Sequence, residues 1–195
     1  MAESLPSLLA FGLLYVVLPV WLLSGLADSA CHRIMRIESN AGLIESLLHL
    51  MMLAQLGVAI LVPLLLEPTA SAFALMLVGC LAHEVTMCVD LAYAASRRRV
   101  PWYEQWIHGV QQALPWAWMT GWMLLGAPQA LALLGLGTAA ADWSFRLRTP
   151  PLPDAYLVTV LAGAALLVWL PFLHESWRCW RAAPALRARR ERLPP

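Results

Sequence analysis

Leu5–Leu26 runs for twenty-two residues without a charged side chain. As a helix rising 1.5 Å per residue it would span about 30 Å, the thickness of a bilayer's hydrocarbon core. Four more runs approach that length: 43–66, 70–93, 106–125 and 155–172. Backbone groups in lipid must be satisfied within the segment, so runs of this length and oiliness specify helices. The chain therefore reads as an all-α membrane protein, a bundle of five transmembrane helices, with about four to six spans fitting its 195 residues. Composition agrees: 61% of residues are hydrophobic and 13% charged, against about 45–50% and about 25% in soluble domains. That balance excludes a soluble globular enzyme, a disordered regulator and a nucleic-acid-binding module.

Charge placement orients the bundle. All 13 basic Lys/Arg positions are arginine. Arg33, Arg36, Arg97–Arg99 and the arginines from Arg178 onward fall on one side of a five-span topology; Arg146 and Arg148 fall on the other. The positive-inside rule then expects the N-terminus outside and the C-terminus in the cytoplasm of a bacterial inner membrane. Residues 1–175 form the bundle on this reading, and 176–195 a basic cytoplasmic tail whose Trp177 and Trp180 suit a lipid surface. The N-terminus lacks a positively charged leader region, so its apolar run is expected to be retained as a span. Gln129–Trp143 is apolar but short, and reads as an interfacial or re-entrant segment before the Pro-rich stretch at 149–153. The four cysteines form no CxxC pair, and Cys80 and Cys88 read as small buried hydrophobes. The Met residues of the second and third runs read as packing.

Ionisable groups in a span cost about 2.5–3.5 kcal/mol each at the helix centre, and here they fall in a pattern. Asp28 and His32, Glu45 and His49, and Glu104 and His108 each stand four residues apart. His83 and Asp90 stand seven apart, with Glu84 adjacent. Both spacings put the two groups on one helix face. Counting inward from the span ends, all of them lie near the cytoplasmic mouth of the bundle. Carboxylates with imidazoles suit iron, manganese or zinc, and four His with at least four acids would serve two metals, as in carboxylate-bridged di-iron bundles. The expected metal ligands are His32, His49, His83, His108, Asp28, Glu45, Asp90 and Glu104. Glu84 is expected to move protons or orient an imidazole. Glu38, His174 and Glu175 read as interfacial, Glu38 because Ser39–Gly42 breaks the helix before Glu45.

Cys31-His-Arg, Arg36-Ile-Glu38, Gly42 through His49, His83-Glu84, Asp90 through Tyr93 and Glu104-Gln-x-x-His108 resemble a group of small bacterial integral-membrane proteins. The resemblance covers roughly residues 25–115 and implies that this is the group's polar core; it implies no activity. A diguanylate cyclase is excluded, since the chain has no Gly-Gly-Asp/Glu-Glu-Phe segment.

The residues point first to a membrane metalloenzyme, a non-haem iron or di-metal oxidoreductase. Its substrate would be lipid-like or a quinol, entering between helices, with an electron donor on the cytoplasmic side. The alternatives are a b-type haem electron-transfer protein, a zinc-dependent membrane hydrolase, and a non-enzymatic ion or proton pathway or complex subunit.

Overall fold

In a computed structural model, which describes residues 4–191, the regular structure is helical, apart from a single antiparallel bridge between Leu66 and Leu147. Helix α1 (Leu5–Met35) is continuous but passes through a π-helical turn at Leu13–Val17. It is followed by α2 (Leu43–Leu65), α3 (Ala70–Arg97), α4 (Trp102–Leu125) and the short α5 (Ala127–Leu133). The last rod, α6, comprises Asp154–Ala164, a π-helical turn at Ala165–Trp169, and Leu170–Glu191. Four of these, α1, α2, α3 and α6, are long and apolar enough to cross a membrane. The fifth expected span coincides with α4, which is long enough but carries Glu104, Gln105, His108, Gln111 and Gln112 in its first half. Gln129–Trp143 begins inside α5 and continues as irregular chain, too short in helix to span. The basic segment after Ser176 continues α6 to Glu191 without a break.

The long helices close a ring: α1 packs on α4, α4 on α3, α3 on α2, α2 on α6, and α6 on α1. The polarity of that ring is inverted relative to a soluble bundle. Helix α3 turns Leu75, Val78, Val85 and Val89 outward and buries His83, Thr86 and Asp90. Such a surface is stable only against lipid. Below the polar end the core is apolar, built on Leu18, Trp21, Phe73, Met76, Trp118 and Trp122. Cys80 joins it, whereas Cys88 is exposed, one position off the buried face.

Backbone irregularities find partners, as an apolar surrounding requires. Pro63 has no N–H to give Ala59, and the Trp118 indole donates to that carbonyl instead, at 3.1 Å. The π turn of α1 loosens its ladder at Leu14, whose carbonyl accepts from the Tyr156 hydroxyl at 2.8 Å. Between α1 and α2 the chain reverses through Arg36 at φ 52° and Gly42 at φ 79°. That break separates Glu38, which pairs with Arg178 at 3.1 Å, from the face of α2 that carries Glu45.

Close approach of α2 and α3 depends on small residues. A Cβ on Gly79 would lie 3.0 Å from the Gln55 carbonyl oxygen and 3.7 Å from Ala59 Cβ. Gly57 has nothing within 4 Å. Gly79→Leu is therefore expected to destabilise by about 1–3 kcal/mol through overpacking. Gly57→Ala should be neutral or gain up to about 1 kcal/mol of helix propensity. Thermal unfolding in detergent checks the pair; equal effects would mean that α2 and α3 do not meet there.

Candidate metal centre

Every helix of the ring sends acid or imidazole groups to one end of the bundle. The centre is a carboxylate that the sequence reading placed at the interface. Glu175 of α6 is 1% exposed, and its two oxygens take the Nδ1 atoms of His32 (2.9 Å) and His49 (3.0 Å). The two rings stack at 4.4 Å between centroids, 10° from parallel, and Phe172 meets both edge-on. With both Nδ1 protons given to Glu175, each ring presents its Nε2 lone pair to further carboxylates.

For His32, those carboxylates are Asp28 Oδ1 at 3.3 Å and Glu104 Oε1 at 3.4 Å. His108 Nε2 completes the group, 3.2 Å from Asp28 Oδ1 and 4.0 Å from Glu104 Oε1. His32 is fully buried, yet its Nε2 has no hydrogen-bond partner with acceptable geometry. Tetrahedral ligands at about 2.0–2.2 Å from a metal lie about 3.3–3.6 Å from one another. Three of the four separations fall within about 0.1 Å of that range and the fourth is wider. The ligand atoms of the four residues lie within 4.8 Å of one another, a grouping that could hold a cation, and His108 Nε2 and Asp28 Oδ1 are within hydrogen-bond distance.

For His49, the facing carboxylate is Asp90, with Oδ1 at 3.5 Å and no hydrogen-bond partner of its own. Both residues line a cavity of about 850 Å³ enclosed by α1, α2, α3, α4 and α6. Asp28, Arg98 and His108 share its polar end, and Leu18, Leu56, Ile60 and Val160 line the rest.

Arg98, just beyond α3, is a second participant, one the sequence offers only as part of the Arg97–Arg99 cluster. Its guanidinium binds Glu45 through Nη2 at 2.5 Å and Nε at 3.1 Å, and Glu104 through Nη1 at 2.9 Å and through Nη2. Burial alone would push its ionisation down, but the hydrogen bonds to Glu104 and Glu45 outweigh it and hold the charge more firmly than usual. Arg98 binds both oxygens of each acid, but Glu104 keeps Oε1 3.4 Å from His32 Nε2, whereas Glu45 lies in neither group of convergent ligands. The four-residue spacing brings Asp28 to His32 and Glu104 to His108 within one helix; Glu45 and His49 diverge, one to Arg98 and the other to Glu175.

His83 and Glu84 lie elsewhere. Glu84 faces α4, accepting from Trp116 Nε1 at 2.8 Å and Gln112 Nε2 at 3.3 Å. His83 lines the cavity and stands outside both groups of convergent ligands. Glu175 escaped the sequence reading because its only neighbour of note was His174, beside two interfacial tryptophans. The signal for it was the buried face Phe172, Glu175, Cys179, at helical spacing.

Charge accounting sharpens the picture. Asp28, Glu45, Asp90, Glu104 and Glu175 are each at most 5% exposed. With neutral imidazoles, five carboxylates against the one Arg98 guanidinium leave four negative charges. A buried excess of that size is untenable in a lipid-embedded bundle unless protons or cations cancel it. No protein-family model, no curated protein and no solved structure matches the chain.

Arg98→Ala would leave Glu45 and Glu104 buried without a counter-charge. A loss of about 3–5 kcal/mol is expected, with Arg98→Lys in between because an ammonium cannot form the double fork. Thermal unfolding in detergent measures both; an unchanged midpoint for Arg98→Ala would mean the clamp is absent in solution.

Proposed function

We propose that the chain is a membrane metalloprotein whose centre is held by Asp28, His32, Glu104 and His108. The observation that carries this reading is the buried, undirected Nε2 of His32 facing two carboxylate oxygens and a second imidazole. Glu175 acts as the positioning residue, fixing the tautomer and plane of His32 and His49 as carboxylates commonly do for metal-bound imidazoles. Two carboxylates with two imidazoles suit iron, manganese or zinc. A divalent cation there removes two of the four excess charges, and His49 with Asp90 offers a place on the cavity side for a second.

A resident iron would supply redox chemistry and a zinc ion Lewis-acid chemistry. We favour the oxidoreductase, acting on a lipid-like or quinol substrate. The apolar cavity supports it, because a tail can lie along Leu18, Leu56 and Ile60 while the head meets His49, Asp90 and Arg98. In this reading α4 is the fifth span, tolerated because its polar face turns to the cavity and to Glu84. The arginine-rich end, which contains the centre, faces the bacterial cytoplasm, where an electron donor would reach it. A bis-imidazole haem is less well supported: stacked rings that share one carboxylate do not face each other across a slot. A zinc hydrolase would use the same ligands.

A second reading rests on a different observation. Asp90, His49, Glu175, His32, Asp28 and His108 form a run of neighbouring titratable groups at separations of 3.5, 3.0, 2.9, 3.3 and 3.2 Å, hydrogen-bonded at His49–Glu175, Glu175–His32 and Asp28–His108. Such runs are how proton relays look.

Elemental analysis and an optical spectrum of detergent-purified protein separate these readings. About one or two transition-metal ions per chain are expected, lost in Asp28→Ala and His108→Ala and unchanged in Glu84→Gln. Glu175→Gln should weaken metal affinity about 10–100-fold. A folded protein without stoichiometric metal would end the metalloprotein reading and leave the relay.

A further inference from the structure

His83 is a buried group with no hydrogen-bond partner for either ring nitrogen among the described residues. It is 4% exposed, on the inner face of α3. The adjacent carboxylate, Glu84, is committed to Trp116 and Gln112. Leaving a buried polar atom unpaired costs about 1–3 kcal/mol, and an imidazole in lipid has two such atoms. Leucine would fill the same space without that cost.

His83 lines the cavity with its ring nitrogens just beneath the wall, and a turn of the side chain would bring one of them to a ligand there. It stands seven residues, and so about 10 Å along the helix, from Asp90 at the cavity's polar end. Trp21, Trp169 and Phe172 also line the cavity. At about 850 Å³ the space is that of a drug-sized ligand. A neutral imidazole gives one hydrogen bond and accepts one, so its partner bears a carbonyl or hydroxyl. A plain hydrocarbon chain has neither, and a saturated lipid alcohol has no ring to meet those aromatic side chains.

We infer that the cavity binds a quinone- or quinol-type ring, with His83 as the residue that recognises its oxygen. This deepens the proposed function and rests on it only in using the same cavity. His83 is here a ligand-binding residue and not a metal ligand.

The test titrates the detergent-purified full chain with a decyl-substituted benzoquinone, read by tryptophan fluorescence, since Trp21 and Trp169 line the cavity. Saturable binding is expected. His83→Leu and His83→Ala should weaken it about tenfold, the worth of one buried hydrogen bond, and His83→Gln should recover most of the loss. On the wild-type chain, decylbenzene and decanol should each bind about tenfold more weakly than the quinone, a comparison that needs no variant to fold. Metal content should be the same in all forms. Absent saturable binding, equal affinity of folded His83→Leu, equal binding of decylbenzene or decanol, or metal loss in a folded His83 variant would each overturn the inference. Quinone binding that depends on His83 in a chain without metal would sustain it while ending the metalloprotein reading.

Discussion

A carboxylate sealed in a lipid-embedded bundle must have a cation or a proton within contact distance, because the alternative costs several kcal/mol per group. This constraint organises the protein. Five carboxylates share one end of the ring of helices, and four have a directed partner: Glu45 and Glu104 bind Arg98, Glu175 two imidazoles and Asp28 His108, while Asp90 faces His49 at 3.5 Å without a hydrogen bond. Since the partners come from different helices, satisfying the acids also fixes which helices are neighbours.

Glu175 holds the arrangement together. From α6 it is bonded to both α1 and α2, and through the stacked pair it fixes the two imidazole planes. The result has two sides. His32 looks toward Asp28, Glu104 and His108 and His49 toward Asp90, and Asp28, His108, His49 and Asp90 all line the cavity.

Much of this was legible in the chain. Apolar runs near twenty residues implied helices, and the helices begin within a few residues of the runs. Three acid–histidine pairs at four-residue spacing implied polar faces, and Asp28–His32 and Glu104–His108 meet as that spacing requires. Arg97–Arg99 stands in the sequence as one basic cluster that orients the bundle, and nothing local distinguishes Arg98 from its neighbours. Only the end of α3, turning toward the start of α4, brings that one guanidinium between Glu45 and Glu104. Glu175 was hidden for a related reason: no histidine lies four residues away, so its partners are visible only across helices.

By itself the sequence determined that this is a helical membrane protein with acids and histidines gathered at its arginine-rich end, because period and hydropathy are local properties. The tertiary structure decided which of those groups touch. Helix rotation and packing order depend on distant contacts such as Trp118 to Ala59 and Gly79 to Gln55. Those contacts sent Glu45 to an arginine, left His83 alone beside a cavity, and set Glu175 between two imidazoles more than a hundred residues away.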